Sequence, residues 1–349
     1  MSFRLPVVAA VDAVVRDAAL AHLDLLAKPR GALGRLESLA AQICAIQGTL
    51  RPTLARPAVL VFVGDHGLAK EGVSAYPREV TAQMVKNFLA GGAAISVLSR
   101  EFGAVLRVVD AGVDADLEPG AGLIDAKIAR GTANVLQGPA MSMAQCELAV
   151  SRGAAIAIAE CEAGADVLVL GEMGIGNTAI ASLLMHRLTG AELADCVGRG
   201  TGLDDQGLAA KRSILTRVMS LRPDSRADPL RLLADTGGFE LAMLVGAALG
   251  GASCRRVVLV DGFATTVAVA LAAQLQPQLL QYCVFGHVSA EHAHRSLLRT
   301  LGVSPVLDLE LRLGEASGAA LALPLLRAAV RLIAEMATLS GAGVSDRGS

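Results

Sequence analysis

The residues with most chemical promise lie in three short motifs. Gly171-Glu172-Met173-Gly174-Ile175-Gly176-Asn177-Thr178 follows a β-branched run and precedes a helical stretch, Ala179 to Leu188. Glycines there let backbone N–H groups approach a phosphate, Asn177 or Thr178 can cap the helix, and a helix start favours an anion. A plain tight turn between strand and helix would use the same residues. The segment fits G-x-G-x-x-G only loosely and lacks a P-loop lysine, so neither a dinucleotide nor a nucleoside triphosphate is indicated. A second glycine-rich stretch, Val197-Gly198-Arg199-Gly200-Thr201-Gly202-Leu203, has Lys211 nearby. The lysine can serve as a point charge for phosphate, or the pair can be a surface loop and a solvated side chain. The third motif, Arg312-Leu313-Gly314-Glu315-Ala316-Ser317-Gly318, places Glu315 where a loop becomes a long apolar helix. A carboxylate there can simply complement the helix dipole, or it can be a general base whose apolar surroundings raise its pKa.

Other polar clusters are less promising. His287, Glu291, His292 and His294 form H-x-x-x-E-H-x-H, whose histidines do not share a helix face as an i, i+4 zinc pair does. Asp65-His66 has no nucleophile arranged for a triad, and no G-x-S-x-G occurs.

The motifs need a scaffold, and the apolar pattern supplies one. Five short runs read as buried strands: Pro57 to Val63, Ala104 to Val109, Asp166 to Leu170, Val257 to Val260 and Gln281 to Phe285. Each is followed by a loop rich in Gly, Asp, Glu or His. Helical stretches such as Met143 to Ala163 and Phe239 to Leu249 lie between them. Continuous apolar strands alternating with helices predict an α/β fold with a parallel sheet flanked by helices. Ligands of such sheets bind at the C-terminal ends of the strands. The chain ends differ: Val11 to Gln47, Ser289 to Leu301 and Glu315 to Leu339 all carry helical spacing. We expect a sheet domain over 56–288 and a small helical domain built from 1–55 and 289–349.

Composition narrows the function. Residues are 53% hydrophobic and 18% charged, enough for a large core. A net charge of −2, with no Lys/Arg block and no Trp, argues against a nucleic-acid or anionic-membrane partner. The most apolar run, Val257 to Leu275, is interrupted by Asp261 and Gly262, so no membrane span is expected. Asp12, Arg16 and Asp17 follow Arg4 without a signal-peptide core, and the cytoplasm is the expected compartment. Six scattered cysteines, none in C-x-x-C, read as buried free thiols.

Taken together, the segments KPRGALGRLE (28–37), GDHGLAKEGVSAYPREVTAQMVKNFLAGGAAI (64–95), GEMGIGNT (171–178), GGFE (237–240), VDGFATT (260–266), HVSAEHAH (287–294) and RLGEASGAALALPLL (312–326) carry a family resemblance. In this order, and nearly end to end, the chain resembles the nicotinate-nucleotide:dimethylbenzimidazole phosphoribosyltransferases of cobalamin nucleotide synthesis. The resemblance implies a Rossmann-like sheet, a helical domain from both chain ends, a homodimer, and no metal or redox cofactor. It implies nicotinate mononucleotide as phosphoribosyl donor and dimethylbenzimidazole as acceptor, with α-ribazole 5′-phosphate and nicotinate as products. It matches Glu315 to the catalytic base and Glu172 to a second acid. It puts Gly174, Gly176, Asn177, Thr178, Gly202 and Lys211 around the nucleotide and its phosphate, with Asp261 and Ser289 facing the same crevice. Tyr76, Met84, Met173 and Leu313 fall on walls of the base pocket. Rival readings are a transferase preferring adenine or a phenol, and a nucleotide-binding regulator without turnover.

Overall fold

A computed structural model describes residues 3–200, 202–222 and 224–345; Thr201 of the second glycine-rich stretch and the outermost ends of both terminal segments lie outside it. Six parallel strands form the sheet: β1 (Pro57–Gly64), β2 (Val105–Gly112), β3 (Leu123–Asp125), β4 (Val167–Met173), β5 (Val257–Val260) and β6 (Cys283–Phe285). Their order is β3-β2-β1-β4-β5-β6. The β-branched runs are strands because both faces are covered. Every residue of β1 and β5 is buried, so apolar side chains are favoured at successive positions. Helix Phe239–Ser253 lies on β1, β2, β4 and β5 and packs against Met143–Glu162; helix Ser317–Glu335 packs against β4.

The structure differs from the sequence reading in where strands end. β4 continues through Gly171, Glu172 and Met173, residues expected in a loop, because Val61, Phe62 and Val63 of β1 pair with them. β2 likewise continues to Gly112. β3 is not legible in the sequence, since three residues show no periodicity. The two-stranded pair of β7 (His287–Val288) with β8 (Leu307–Asp308) escapes for the same reason.

The terminal helices Ala13–Leu25, Arg35–Gln47 and Ser317–Glu335 pack on one another, and a bridge joins Leu26 to Thr338. Helix His292–Thr300 packs instead on Phe263–Leu275 and Asn177–Thr189. Among the described residues, only Ser317–Glu335 is long and apolar enough to cross a membrane. More than half of it is buried inside the protein, and Pro324 lies within it.

The sheet order reverses between β1 and β4. Connections leave the strand ends in opposite directions there, which opens a crevice at their C-terminal ends.

Candidate active site

That crevice is a cavity of about 360 Å³, within the usual range for small-molecule sites. Two acidic residues line it side by side. Glu172 projects from β4 opposite Phe62 and is 5% exposed; Glu315 precedes helix Ser317–Glu335 and is 6% exposed. The Glu315 N–H donates to the Glu172 carbonyl at 3.2 Å, tying the two backbones together. This approach depends on Gly171, where a Cβ would lie 2.2 Å from the Ala316 nitrogen. Glu315 and Ala316 both adopt left-handed φ values, 62° and 66°. Such conformations cost on the order of 1–3 kcal/mol each and persist only where surrounding bonds impose them. Here Ser317 N–H donates to Gly314 O, and Ala319 N–H donates to Asp261 Oδ1 at 2.9 Å.

The acids are held without a cation at hydrogen-bond distance among the described residues. Burial, reinforced by Glu240, pushes the Glu172 carboxyl up to about 8 despite a hydrogen bond from Asn177 Nδ2. Burial, reinforced by Asp261, raises Glu315 to about 7. Asp261 is fully buried, and burial raises its pKa as well, against the opposing pull of His287. The His287 Nδ1 is 3.6 Å from Asp261 Oδ1, beyond a normal hydrogen bond. His287 stands edge-on to His294, whose Nδ1 accepts the Ser289 N–H at 2.8 Å. The His294 Nε2 must then carry its proton, toward Thr266 Oγ1 at 2.9 Å. Burial and the adjacent His287 push His294 down to about 3, so it is neutral in ordinary buffers.

At the other end, Lys211 reaches inward from helix Asp205–Leu221 and is 1% exposed. Its Nζ donates to Thr178 Oγ1 at 3.3 Å and to Gly198 O at 3.1 Å. Burial lowers its pKa to about 8, although Glu291 favours the charged form. A buried ammonium beside a hydroxyl and a glycine-rich turn is suited to an anion.

Ten residues singled out in the sequence line the cavity: Glu172, Glu315, Gly174, Asn177, Thr178, Ser289, Tyr76, Met84, Met173 and Leu313. Four do not. Asp261 lies beneath the floor and secures the start of the last helix. Lys211 lies behind Thr178. Gly202 lines an adjoining cavity. Gly176, at φ 100°, faces His66 and Ala69. The capping expectation also changes: Gly176 is the N-cap of helix Asn177–Thr189, and the Asn177 side chain instead takes the Thr178 N–H and donates to Glu172. Ile175 and Asn177 N–H groups bond to Thr81 Oγ1 and Gly174 O. Much of the expected backbone anion cradle is thus already engaged, and Lys211, Thr178 and Gly200 move to the fore. Gly200, Phe263, His287, Glu291 and Arg312 also line the cavity, and the sequence reading missed them in that role. Sequence weighs His287 and Glu291 only as metal donors; among the described residues no three such side chains gather.

A family model described as "Phosphoribosyltransferase" matches residues 8–344. The nicotinate-nucleotide–dimethylbenzimidazole phosphoribosyltransferase of Cupriavidus necator is 55% identical over 340 residues, covering 97% of this chain and 98% of that one. The enzyme of the same name from Dechloromonas aromatica is 53% identical over 338 residues, 96% of this chain and 97% of its own. The crystal structure of CobT from Thermus thermophilus superposes with a TM-score of 0.91 at 44% identity, covering 96% of this chain and all of that one.

Proposed function

Since the chain belongs to this phosphoribosyltransferase family, we propose that it transfers ribosyl 5-phosphate from nicotinate mononucleotide to 5,6-dimethylbenzimidazole in assembly of the cobalamin lower nucleotide. The observation that carries the reading is the polarity of the cavity. Two buried acids, with no cation at hydrogen-bond distance among the described residues, line one end, and a buried lysine stands behind Thr178 of the wall at the other.

The donor phosphate binds beside Lys211, Thr178 and Gly200, which fixes the sugar. Tyr76, Met84, Met173 and Leu313 supply apolar walls for a flat methylated base. The lone pair of one benzimidazole nitrogen forms a bond to the anomeric carbon. The bond from that carbon to nicotinate breaks, and its electron pair neutralises the pyridinium, so no acid is needed for departure. Attack from the face opposite the leaving group converts a β-nucleotide into an α-riboside. Positive charge then sits on the benzimidazole, whose other nitrogen bears a proton. Glu315 accepts that proton, and its pKa near neutrality suits the task. Glu172 remains largely protonated at neutral pH and presents a neutral polar group beside it.

Incubation with nicotinate mononucleotide and a panel of bases, followed by mass analysis, tests the reading. Release of nicotinate with formation of α-ribazole 5′-phosphate is expected. Binding without release would indicate a regulator, and a product formed only with adenine or a phenol would reassign the acceptor. We further propose a cytoplasmic homodimer, to be checked by light scattering and cell fractionation. Within each chain we take 56–288 as the sheet unit and 1–55 with 289–349 as its helical cap, except that helix His292–Thr300 packs on the sheet unit.

A further inference from the structure

We propose that the Glu291 carboxylate is the resident anion of the phosphate cradle, and that an incoming phosphate must displace it. The proposal rests on assigning Lys211, Thr178 and Gly200 to the donor phosphate.

The geometry around Glu291 is that of a bound anion. Its carboxylate sits on the Gly198–Gly200 turn so closely that a Cβ at Gly198 would lie 1.9 Å from Oε2. Burial disfavours its charge, and Lys211, the Gly200 backbone N–H and Arg312 favour the charged form. Among the described residues, the hydrogen bonds of Lys211 go to neutral oxygens, of Thr178 and Gly198. Gly200 neighbours the lysine and the hydroxyl: a Cβ there would lie 3.5 Å from Lys211 Nζ and 2.9 Å from Thr178 Oγ1. One turn therefore serves carboxylate, hydroxyl and ammonium together.

A buried ammonium with no counter-charge is costly, and Glu291 supplies one from within the chain. A phosphate carries more charge and more acceptor oxygens than a carboxylate, so it binds the same donors more strongly. The two anions cannot share the turn, because like charges repel strongly where water is scarce. Glu291 also has somewhere to go. It lies on the wall between the main cavity and an adjoining one of about 470 Å³ that Arg199, Arg212, His292 and Arg312 help to line. Ser289 Oγ accepts the Glu291 N–H at 3.2 Å, so displacement moves the Ser289–Glu291 segment at the cavity rim. A ligand lacking the phosphate leaves Glu291 in place, which disfavours non-phosphorylated nucleosides.

Calorimetric titration of inorganic phosphate and of nicotinate mononucleotide into wild type, Glu291→Gln and Lys211→Met tests this. Glu291→Gln should bind inorganic phosphate at least about fivefold more tightly than wild type, the lower end of usual site-to-site coupling. Lys211→Met should lose phosphate binding. A gain in affinity is not what a merely structural role would give. Unchanged or weaker phosphate binding by Glu291→Gln, with Lys211 dependence intact, overturns the proposal and leaves the cradle standing. Loss of mononucleotide binding alone would make Glu291 a ribose contact and equally overturn it. If phosphate binding is absent throughout or indifferent to Lys211, the cradle assignment fails and this proposal with it. Should Glu291→Gln not fold, crystals of wild type grown with and without phosphate decide. The carboxylate should leave the Gly198–Gly200 turn when phosphate is present, and its retention would sink the idea.

Discussion

The two ends of the cavity are buried alike yet hold opposite charge problems. At the anion end, burial drives Lys211 down to about 8, and Thr178, the glycine turn and Glu291 compensate. At the acid end, burial drives Glu315 up to about 7 and Glu172 to about 8, and among the described residues no cation stands at hydrogen-bond distance to compensate. Elsewhere in the interior, acids do have basic partners: Glu240 lies 2.8 Å from His66, and Asp110 lies 2.7 Å from Lys127. The contrast shows that desolvation alone does not identify a reactive group. In the proposed mechanism, what distinguishes Glu315 is that the charge to neutralise it arrives only with chemistry, as the acceptor base becomes cationic.

Glu315→Gln tests this contrast most severely, since it keeps the shape and removes the proposed proton acceptor. We expect kcat to fall by about 10²–10⁴-fold with little change in KM. A rise of kcat/KM with pH through the range about 7 to about 8, where the coupled acids ionise, should flatten in the variant. Near-wild-type turnover, with chemistry shown to limit the rate, would pass the role to Glu172. Next in size is Gly171→Ala. Its methyl would enter the space of Ala316 and shift Glu315, and a displacement of that kind costs about 10²-fold in rate. An unaffected rate in the folded variant would show that the acid pair tolerates looser positioning.

The anion end predicts a different kinetic signature. Lys211→Met should raise the donor KM by about 10- to 100-fold, the loss of a charged hydrogen bond, and leave the acceptor KM unchanged. Equal effects on both substrates would contradict the separation of the two ends. Replacing Met84 or Met173 by Ser should reorder a panel of acceptor bases by about tenfold, the scale of a pocket altered by a methylene or two. An identical ranking would place these methionines outside the base pocket.

A slighter effect is expected on stability. The folded-state pKa of Glu172 lies above the ordinary carboxyl value of 4.5. The native state therefore holds a proton that the unfolded chain has released, and stability falls as pH rises from about 4.5 to about 8. Glu172→Gln removes that liability. It should melt a few degrees above wild type at pH 8.5 and at the same temperature near pH 4.5, read by calorimetry. Equal melting temperatures at both pH values would mean that Glu172 is not kept protonated by burial.

The strands and the layered fold were legible in residue order alone, because buried parallel strands require unbroken apolar runs, as in PAVLVFV and VVLV. Where β4 stops was not, since that depends on the ladder from β1 and not on local composition. The motifs nominated Glu172, Glu315 and Lys211 only through their resemblance to a family. Taken alone, Glu315 could have been a helix-dipole partner and Lys211 a solvated lysine. Long-range packing separates these readings. Gly171 admits the Ala316 backbone and so brings Glu315 beside Glu172 from a distant part of the chain; helix Asp205–Leu221 buries Lys211 against Thr178. Residue type sets which charges a chain carries, but the loss of water that shifts their pKa values exists only once remote segments close around them.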